Sequence, residues 1–236
     1  MIPEVSIVIP VYNEEENVLI LASALVDVME KTGYSYEVIF VDDGSTDGSR
    51  LVLKKICSET PNFRTIVFKH NAGQTAAMDA GFKAAMGKFV VSMDADLQND
   101  PNDIPLLLEG LKSHDVVCGW RHKRNDPWVR RISAKVANFI RNKLSDEDIK
   151  DIGCSLKAYK RECLNKIKLY NGLHRFLPTL FKMEGFTVTE VKVNHFPRKH
   201  GVSKYGIRNR MFRAFYDLLV VRWMKKRRLN YEIVNE

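Results

Sequence analysis

The sequence predicts an α/β fold in which a mostly parallel central sheet is covered by helices on both faces. Apolar runs that are typical of buried strands alternate with segments whose apolar residues recur at helical spacing. Strands that alternate with helices in this way form parallel sheets with right-handed crossovers. Carboxylates directly follow two of the predicted strands, and open α/β sheets bind ligands at that edge. We therefore expect a binding crevice at the carboxyl ends of the strands.

The amino-terminal half supplies most of the predicted elements. The first strand covers 5–9 and ends at Pro10, because proline cannot donate a hydrogen bond to a neighbouring strand. The helix that follows, 14–31, has Val18, Leu21 and Leu25 at helical spacing. Further strands are predicted at 37–41, 64–69, 88–93 and 115–119, with helices at 47–58, 73–86 and 103–112.

The pattern changes after Arg121. A basic amphipathic helix is predicted at 128–144, strands that extend the sheet at 155–159 and 187–196, and further helices at 174–184 and 207–226. The sequence contains no internal repeat and no clear linker. It therefore predicts one large domain at 1–205, followed by a basic amphipathic helix and tail at 206–236.

The composition, with 45% hydrophobic and 28% charged residues, is that of a globular protein. The net charge of +8 is concentrated between Arg198 and Arg228, where eleven Lys and Arg residues accompany one acid. A basic patch of this kind favours an anionic partner. Nucleic acid is not expected as that partner, because no DNA- or RNA-binding motif accompanies the charge. Four cysteines without C-x-x-C spacing are predicted to be reduced packing residues: Cys57, Cys118, Cys154 and Cys163.

Two acidic turns carry the candidate chemistry. Asp94 and Asp96 follow the strand at 88–93, and such paired carboxylates suit Mg²⁺ or Mn²⁺, which prefer oxygen ligands and keep positions open for phosphates. Tyr12 offers a ring that can stack on a base, while Glu14 and Asp43 can accept from base N–H or ribose hydroxyl groups. Ordinary turn and helix-capping chemistry is the alternative for Asp43. The sequence lacks the glycine-rich motifs GxGxxG and GxxxxGK[ST], so neither motif would hold the phosphates.

The segments 5–17, 41–48 and 94–98, in this order and spacing, resemble glycosyltransferase family 2. Members of that family have the GT-A fold and use nucleotide-diphospho-sugars. Other segments resemble its polyprenyl-phosphate glycosyltransferases, the group that includes dolichol-phosphate mannosyltransferase. These segments are Gly119-Trp120-Arg121, Arg130-Arg131 with Ser133, Asp151-Ile152-Gly153-Cys154, and the run from Arg198 to Tyr205.

The resemblance implies a role for each matching position. It implies a base and ribose pocket lined by Pro10, Tyr12, Glu14, Val41 and Asp43. It implies that the diphosphate and its Mg²⁺ or Mn²⁺ meet Asp94, Ala95, Asp96 and Gln98. The implied metal ligands are Asp94, Asp96 and Gln98, of which Asp96 and Gln98 are the most direct. The implied phosphate contacts come from Arg121, Arg198 and Lys204, with Arg131 as a further candidate for the acceptor phosphate.

The implied reaction is an inverting transfer of a sugar from a UDP- or GDP-sugar to a polyprenyl phosphate. A phosphate acceptor is already an anion, so positioning and charge stabilisation by Asp96, Arg121 and Arg131 replace a general base. The alternative acceptor is a hydroxyl of a glycan or glycolipid, which requires a carboxylate base, and Asp151 is the candidate. A non-catalytic membrane-binding module is the third hypothesis.

The helix predicted at 207–226 mixes Phe, Leu and Trp with Arg and Lys. Charges recur too often for the ~20 apolar residues that a membrane span requires. A basic helix with aromatic residues on its apolar side can instead lie in a membrane interface. Packing on its own domain, or a contact within a homo-oligomer, is the alternative. From the interpretation as an interfacial helix, we expect a cytoplasmic protein at the inner face of the cell membrane.

Overall fold

The strands and helices of the computed structural model follow the predicted order, except that a short helix at Arg161–Leu164 was not predicted. The structure describes residues 2–122, 149–198, 207–229 and 231, so the predicted helix at 128–144, Arg131 and Lys204 lie outside the described residues. The strands are β1 (Val5–Val11), β2 (Tyr36–Asp42), β3 (Phe63–Val67), β4 (Phe89–Ser92), β5 (Val116–Arg121), β6 (Lys157–Lys160) and β7 (Val188–Val193). The α-helices are α1 (Glu15–Thr32), α2 (Ser49–Glu59), α3 (Gln74–Ala84), α4 (Ile104–Gly110), α5 (Arg161–Leu164), α6 (Leu177–Met183) and α7 (Ile207–Arg227). Short 3₁₀ helices, Pro101–Asp103 and Leu173–Phe176, precede α4 and α6.

The described strands form a sheet in the order β3-β2-β1-β4-β6-β5-β7. Strand β6 runs antiparallel to both of its neighbours, and every other pairing in this sheet is parallel. The prediction of a mostly parallel sheet is therefore confirmed. Because β6 is antiparallel, its first residue, Lys157, lies beside Ser92 of β4 and Cys118 of β5. The amino end of β6 thus lies at the edge where the parallel strands end.

Pro10 lies inside β1, so the prediction that it ends the strand is wrong. It pairs in register with Val41 of β2. On the other side of β1, the pairing with β4 stops at Val8 and Ser92. Residues two apart in a strand face the same neighbour, so Pro10 points past the end of β4. The N–H that proline lacks has no strand to bond there, and the residue is tolerated.

The two faces of the sheet have separate hydrophobic cores. Ile7 and Ile9 of β1 pack with α1, α2 and α4 on one face. Val8, which points the opposite way, packs with α3 and α6 on the other. The fit is close at Gly81 of α3, where an added Cβ would stand 2.3 Å from Val8 Cγ1. The predicted layers on both faces are therefore confirmed. All four cysteines are free, and Cys118, Cys154 and Cys163 are buried.

In the part of α7 whose side chains are described, Leu218 and Val221 place one side of the helix against α6. Leu218 and Val221 are buried against a third apolar cluster that includes Leu173, Phe176 and Leu180. No helix in the described part of the chain has the length and apolar character that crossing a bilayer requires.

Candidate functional site

The strand ends bring the predicted site residues to one edge of the sheet. Strand β1 ends at Val11, which pairs with Asp42 at the end of β2, and Val8 pairs with Ser92 at the end of β4. Strand β5, two positions further along the sheet, ends at Arg121. The turns that carry Tyr12, Asp43 and the acidic pair therefore leave the sheet at the same edge, as expected.

The acidic turn after β4 has a constrained backbone. Leu97, between Asp96 and Gln98, has a φ of 59°, a conformation that non-glycine residues adopt only when their surroundings impose it. The Asp96 carboxylate accepts a hydrogen bond from the Gln98 N–H at 3.2 Å. The amide oxygen of Asn99 accepts the N–H of Asp94 at 3.3 Å. These contacts fix the direction in which the turn presents its carboxylates.

Asp94 and Asp96 have the chemistry of a divalent cation site. Asp94 is partly buried and accepts a hydrogen bond from the Gln74 amide at 2.8 Å. Burial, with the negative charge of Asp96 as the second cause, raises the pKa of Asp94 to about 6. A cation relieves such repulsion, and Gln98 adds an amide oxygen of the kind that Mg²⁺ and Mn²⁺ accept. Within the described residues no cluster of three or more His, Cys, Asp and Glu side chains is arranged for a metal. The residues present fit a cation held by two carboxylates and an amide oxygen.

Arg198 reaches the acidic turn from the segment after β7. Its Nη2 donates to Asp96 Oδ2 at 2.7 Å. The same segment follows the turn through its backbone, since the Phe196 N–H donates to the Gln98 carbonyl at 3.0 Å and the Gln98 side chain donates to the Phe196 carbonyl at 3.4 Å. The structure therefore brings Arg198 to the predicted metal ligand Asp96. Contact of Arg198 with a phosphate stays a prediction.

Arg121 and Asp151 form a two-point ion pair. Arg121 Nε and Nη2 donate to the two Asp151 oxygens at 2.6 and 2.8 Å, and both side chains are largely buried. Burial alone would lower the pKa of Arg121, but the hydrogen bonds and charge of Asp151 outweigh it and raise that pKa above its ordinary value. Both Asp151 oxygens thus bind Arg121, and the role of Asp151 as a base for a hydroxyl acceptor stays a prediction.

Asp43 is bonded to the loop that begins α3. Its carboxylate accepts the N–H of Ala72 at 2.7 Å, the N–H of Gly73 at 2.9 Å and the amide of Asn71 at 3.0 Å. Burial raises the pKa of Asp43, although these N–H bonds act in the opposite direction. Asp43 therefore ties the end of β2 to the start of α3. Its contact with a base or ribose stays a prediction.

The other predicted pocket residues lie at the ends of β1 and β2. Pro10 and Val41 are paired across these strands, and Tyr12 is partly buried just after β1. The Glu14 carboxylate accepts the amide of Asn17 at 2.6 Å, which fixes its direction at the start of α1. These residues therefore lie at the same edge of the sheet, and their role as a base and ribose pocket stays a prediction.

Sequence reasoning missed Lys157 and Gln74. Lys157 is buried at 3% exposure, and its Nζ donates to the carbonyl of Cys154. The signal was present, since Lys157 is a charged residue inside an apolar strand pattern. Gln74 begins α3, and only the tertiary structure reveals its bond to Asp94.

A family model described as glycosyl transferase family 2 matches residues 6–168. Among curated proteins, the dodecaprenyl-phosphate galacturonate synthase of Rhizobium johnstonii is 39% identical over 224 residues, which cover 92% of this chain and 66% of that protein. The undecaprenyl-phosphate 4-deoxy-4-formamido-L-arabinose transferase of Aeromonas hydrophila is 37% identical over 217 residues, covering 91% and 66%. The chain therefore spans 66% of the length of these two relatives.

Solved structures confirm the GT-A fold. Glucosyl-3-phosphoglycerate synthase from Mycobacterium tuberculosis, in complex with Mn²⁺, UDP-glucose and phosphoglyceric acid, superposes with a TM-score of 0.72 at 18% identity, covering 94% of this chain and 80% of that one. A mannosyltransferase from Pyrobaculum calidifontis, in complex with GDP-mannose and Mn²⁺, superposes with a TM-score of 0.65 at 20% identity, covering 98% and 66%. At these identities the likeness concerns the fold.

Proposed function

Because the chain belongs to glycosyl transferase family 2, we propose that it transfers a sugar from a nucleotide-diphospho-sugar to a polyprenyl phosphate. One observation carries the proposal: the acidic turn at Asp94 and Asp96 shares its sheet edge with the largely buried cations Arg121 and Lys157. Such an edge can hold a metal-bound diphosphate next to a second phosphate. The names of the two curated relatives contain polyprenyl phosphates, which supports a lipid phosphate as the acceptor here.

The donor would lie across the ends of β1, β2 and β4. Its base and ribose would meet Tyr12, Glu14 and Asp43, and its diphosphate would meet the acidic turn. Mg²⁺ or Mn²⁺, held by Asp94, Asp96 and Gln98, would neutralise the charge that builds on the leaving diphosphate. The side chains that fix the turn and its carboxylates, Gln74 and Asn99, would keep this geometry ready before the reaction.

The acceptor phosphate would be held by Arg121. Asp151 uses Nε and Nη2 of this arginine, and Nη1 makes no hydrogen bond with the described residues, so it remains to donate to a phosphate oxygen. An oxygen of the acceptor phosphate forms a bond to the anomeric carbon while the bond from that carbon to the diphosphate oxygen breaks. The leaving nucleoside diphosphate takes the electron pair, and the anomeric configuration inverts. Because the nucleophile is an anion, this reaction requires no carboxylate base.

The proposed membrane contact is the outer face of α7. Tyr216, Leu219 and Trp223 are 69, 44 and 63% exposed, and their spacing places them along one side of the helix. The basic run 225–228 follows, so this surface suits an anionic bilayer at the cytoplasmic side of the cell membrane.

Helix α7 is linked to the start of α3 through Gly172. An added Cβ at Gly172 would stand 2.6 Å from the carboxylate of Asp217 in α7. The N–H of Gly172 donates at 3.0 Å to the Thr75 hydroxyl, one residue after Gln74. Of the two parts that the sequence predicts, the domain at 1–205 would carry catalysis, and the helix and tail at 206–236 would provide the membrane contact.

The proposed function is tested by measuring sugar transfer to the lipid phosphate directly. The protein is incubated with Mn²⁺ or Mg²⁺, a panel of UDP- and GDP-sugars, and undecaprenyl phosphate in anionic vesicles. We expect one donor to yield a glycolipid together with the nucleoside diphosphate. Undecaprenol, which lacks the phosphate, is the matched control and should give no product. Transfer to undecaprenol or to another hydroxyl, but not to the phosphate, would instead support the hydroxyl-acceptor alternative. Vesicle binding without turnover of any donor would support the non-catalytic one.

A further inference from the structure

Glu190 clamps the loop that carries Asp151. This glutamate lies on β7, where it pairs in register with Cys118 of β5. Its Oε1 accepts the N–H of Asp151 at 2.9 Å, and its Oε2 accepts the N–H of Lys150 at 2.9 Å. Among the residues that the structure describes, no Lys or Arg nitrogen lies within ion-pair distance of this carboxylate. Its described bonds therefore go to the backbone of two consecutive loop residues.

Asp151, which lies in this loop, in turn restrains Arg121. The two Asp151 oxygens hold Nε and Nη2 of Arg121, and Oδ2 also accepts the backbone N–H of Arg121 at 3.3 Å. The backbone at Gly153 also lies close to the Arg121 guanidinium, since an added Cβ there would stand 3.4 Å from Arg121 Nη2. Hydrogen bonds thus run without a break from β7, through the loop, to the guanidinium at the end of β5.

We propose that Glu190 is a positioning residue that sets the direction of the Arg121 guanidinium through Asp151. The proposal rests on the proposed function, in which Arg121 binds the acceptor phosphate. A planar fork binds phosphate well only when its orientation is fixed, and a displacement of about 1 Å can cost about 100-fold in rate. Glu190 would fix the orientation of the guanidinium from outside the site. In the described contacts, Glu190 itself touches neither the acidic turn nor Arg121.

The principal variant is Glu190→Gln. Glutamine keeps the shape but offers one oxygen and one NH₂ group to two N–H donors, so one of the two loop bonds is lost and two donors face each other. We expect kcat/KM for the acceptor to fall about 10- to 100-fold, with KM for the nucleotide-sugar unchanged. Glu184→Gln, an exposed glutamate after α6, is the matched control and should behave as the unaltered protein.

A double-variant cycle separates positioning from a general structural effect. If Glu190 acts through Asp151, Glu190→Gln combined with Asp151→Asn should lose no more activity than the more damaging of the two single variants. Losses that multiply would overturn the proposal. Asp151→Asn also serves as the second variant if Glu190→Gln does not fold, since it interrupts the same path one step later.

A spectroscopic readout makes the test independent of turnover. The ¹⁵N–¹H signal of Arg121 Nε–H, assigned by its loss in Arg121→Lys, should be protected from solvent exchange in the full chain. Protection should fall in Glu190→Gln and in Asp151→Asn, and not in Glu184→Gln. An unchanged Arg121 signal in Glu190→Gln would overturn the proposal. Should the signal respond as expected while the unaltered protein transfers no sugar to any acceptor, the proposed function would be wrong and the positioning link would stand.

Discussion

Arg198 donates a hydrogen bond to Asp96 at 2.7 Å, although the two residues lie 102 positions apart in the chain. The contact joins the basic C-terminal third to the acidic turn. It also places a cation at the carboxylate that the sequence singled out as a metal ligand. The Asp96 carboxylate therefore links the acidic turn to the segment after β7, and in the proposed function it is also a metal ligand.

Asp96→Asn should remove metal-dependent donor binding. Asparagine keeps the size of the side chain but removes the charge that attracts a cation and pairs with Arg198. We expect the affinity for the nucleotide-sugar in Mn²⁺ to fall about 100-fold, because losing one ionic partner in a buried site costs about 3 kcal/mol. Isothermal calorimetry with and without EDTA measures this. Asp79→Asn, in an exposed pair with Lys83 on α3, is the control. Equal affinities of Asp96→Asn and the unaltered protein in Mn²⁺ would contradict the assignment.

Lys157→Met should leave the fold intact and weaken diphosphate binding. Its ammonium group is buried, and no carboxylate of the described residues lies within 4.0 Å of it. A buried ammonium group without a carboxylate partner carries a desolvation cost that a methionine side chain of similar volume does not, so the free energy of unfolding should not fall. Affinity for UDP or GDP should fall about tenfold, as loss of a charged hydrogen bond predicts. The exposed Lys166→Met is the control. Unchanged nucleotide affinity would show that Lys157 serves packing alone.

Asp115→Asn should destabilise the protein in a pH-dependent manner. Asp115 accepts hydrogen bonds from Lys160 at 2.8 Å and from the hydroxyl of Thr187 at 2.7 Å, which lower its pKa to about 2. A lowered carboxyl pKa stabilises the folded state above pH ~4 and loses that effect as the pH falls toward 2. We expect a loss of about 1 kcal/mol at pH 7, reduced for solvent screening, that shrinks toward pH 3. Urea unfolding across this range measures it. A difference independent of pH would point to packing instead.

Trp223→Ser together with Leu219→Ser should weaken binding to anionic vesicles. Both side chains are exposed on α7, opposite its buried residues Leu218 and Val221. Their removal takes away apolar area that would enter the interface, so co-sedimentation with phosphatidylglycerol vesicles should drop at least tenfold. Leu51→Ser, at a leucine on α2 that is 75% exposed, is the control. Full vesicle binding by the double variant would instead favour α7 as a contact between copies of the chain.

The order of strands and helices could be predicted from the sequence because their signals are local. Helical spacing in 14–31 and the apolar run at 88–93 are properties of neighbouring residues, and both elements were found. Pro10 shows the limit of such rules. Its place inside β1 depends on where β4 ends, and that is a property of the assembled sheet.

Sequence by itself determined the acidic turn at Asp94 and Asp96 and the strand-end edge, since a carboxylate that directly follows a strand must lie at the end of that strand. Only the tertiary structure decided which residues meet these groups. The insertion of β6 between β4 and β5 brings Lys157 to the edge. The pairing of β5 with β7 brings Glu190 within reach of the loop at Asp151, and that loop in turn holds Arg121. Such contacts join residues far apart in the chain, so they depend on strand order and register, which no local pattern specifies.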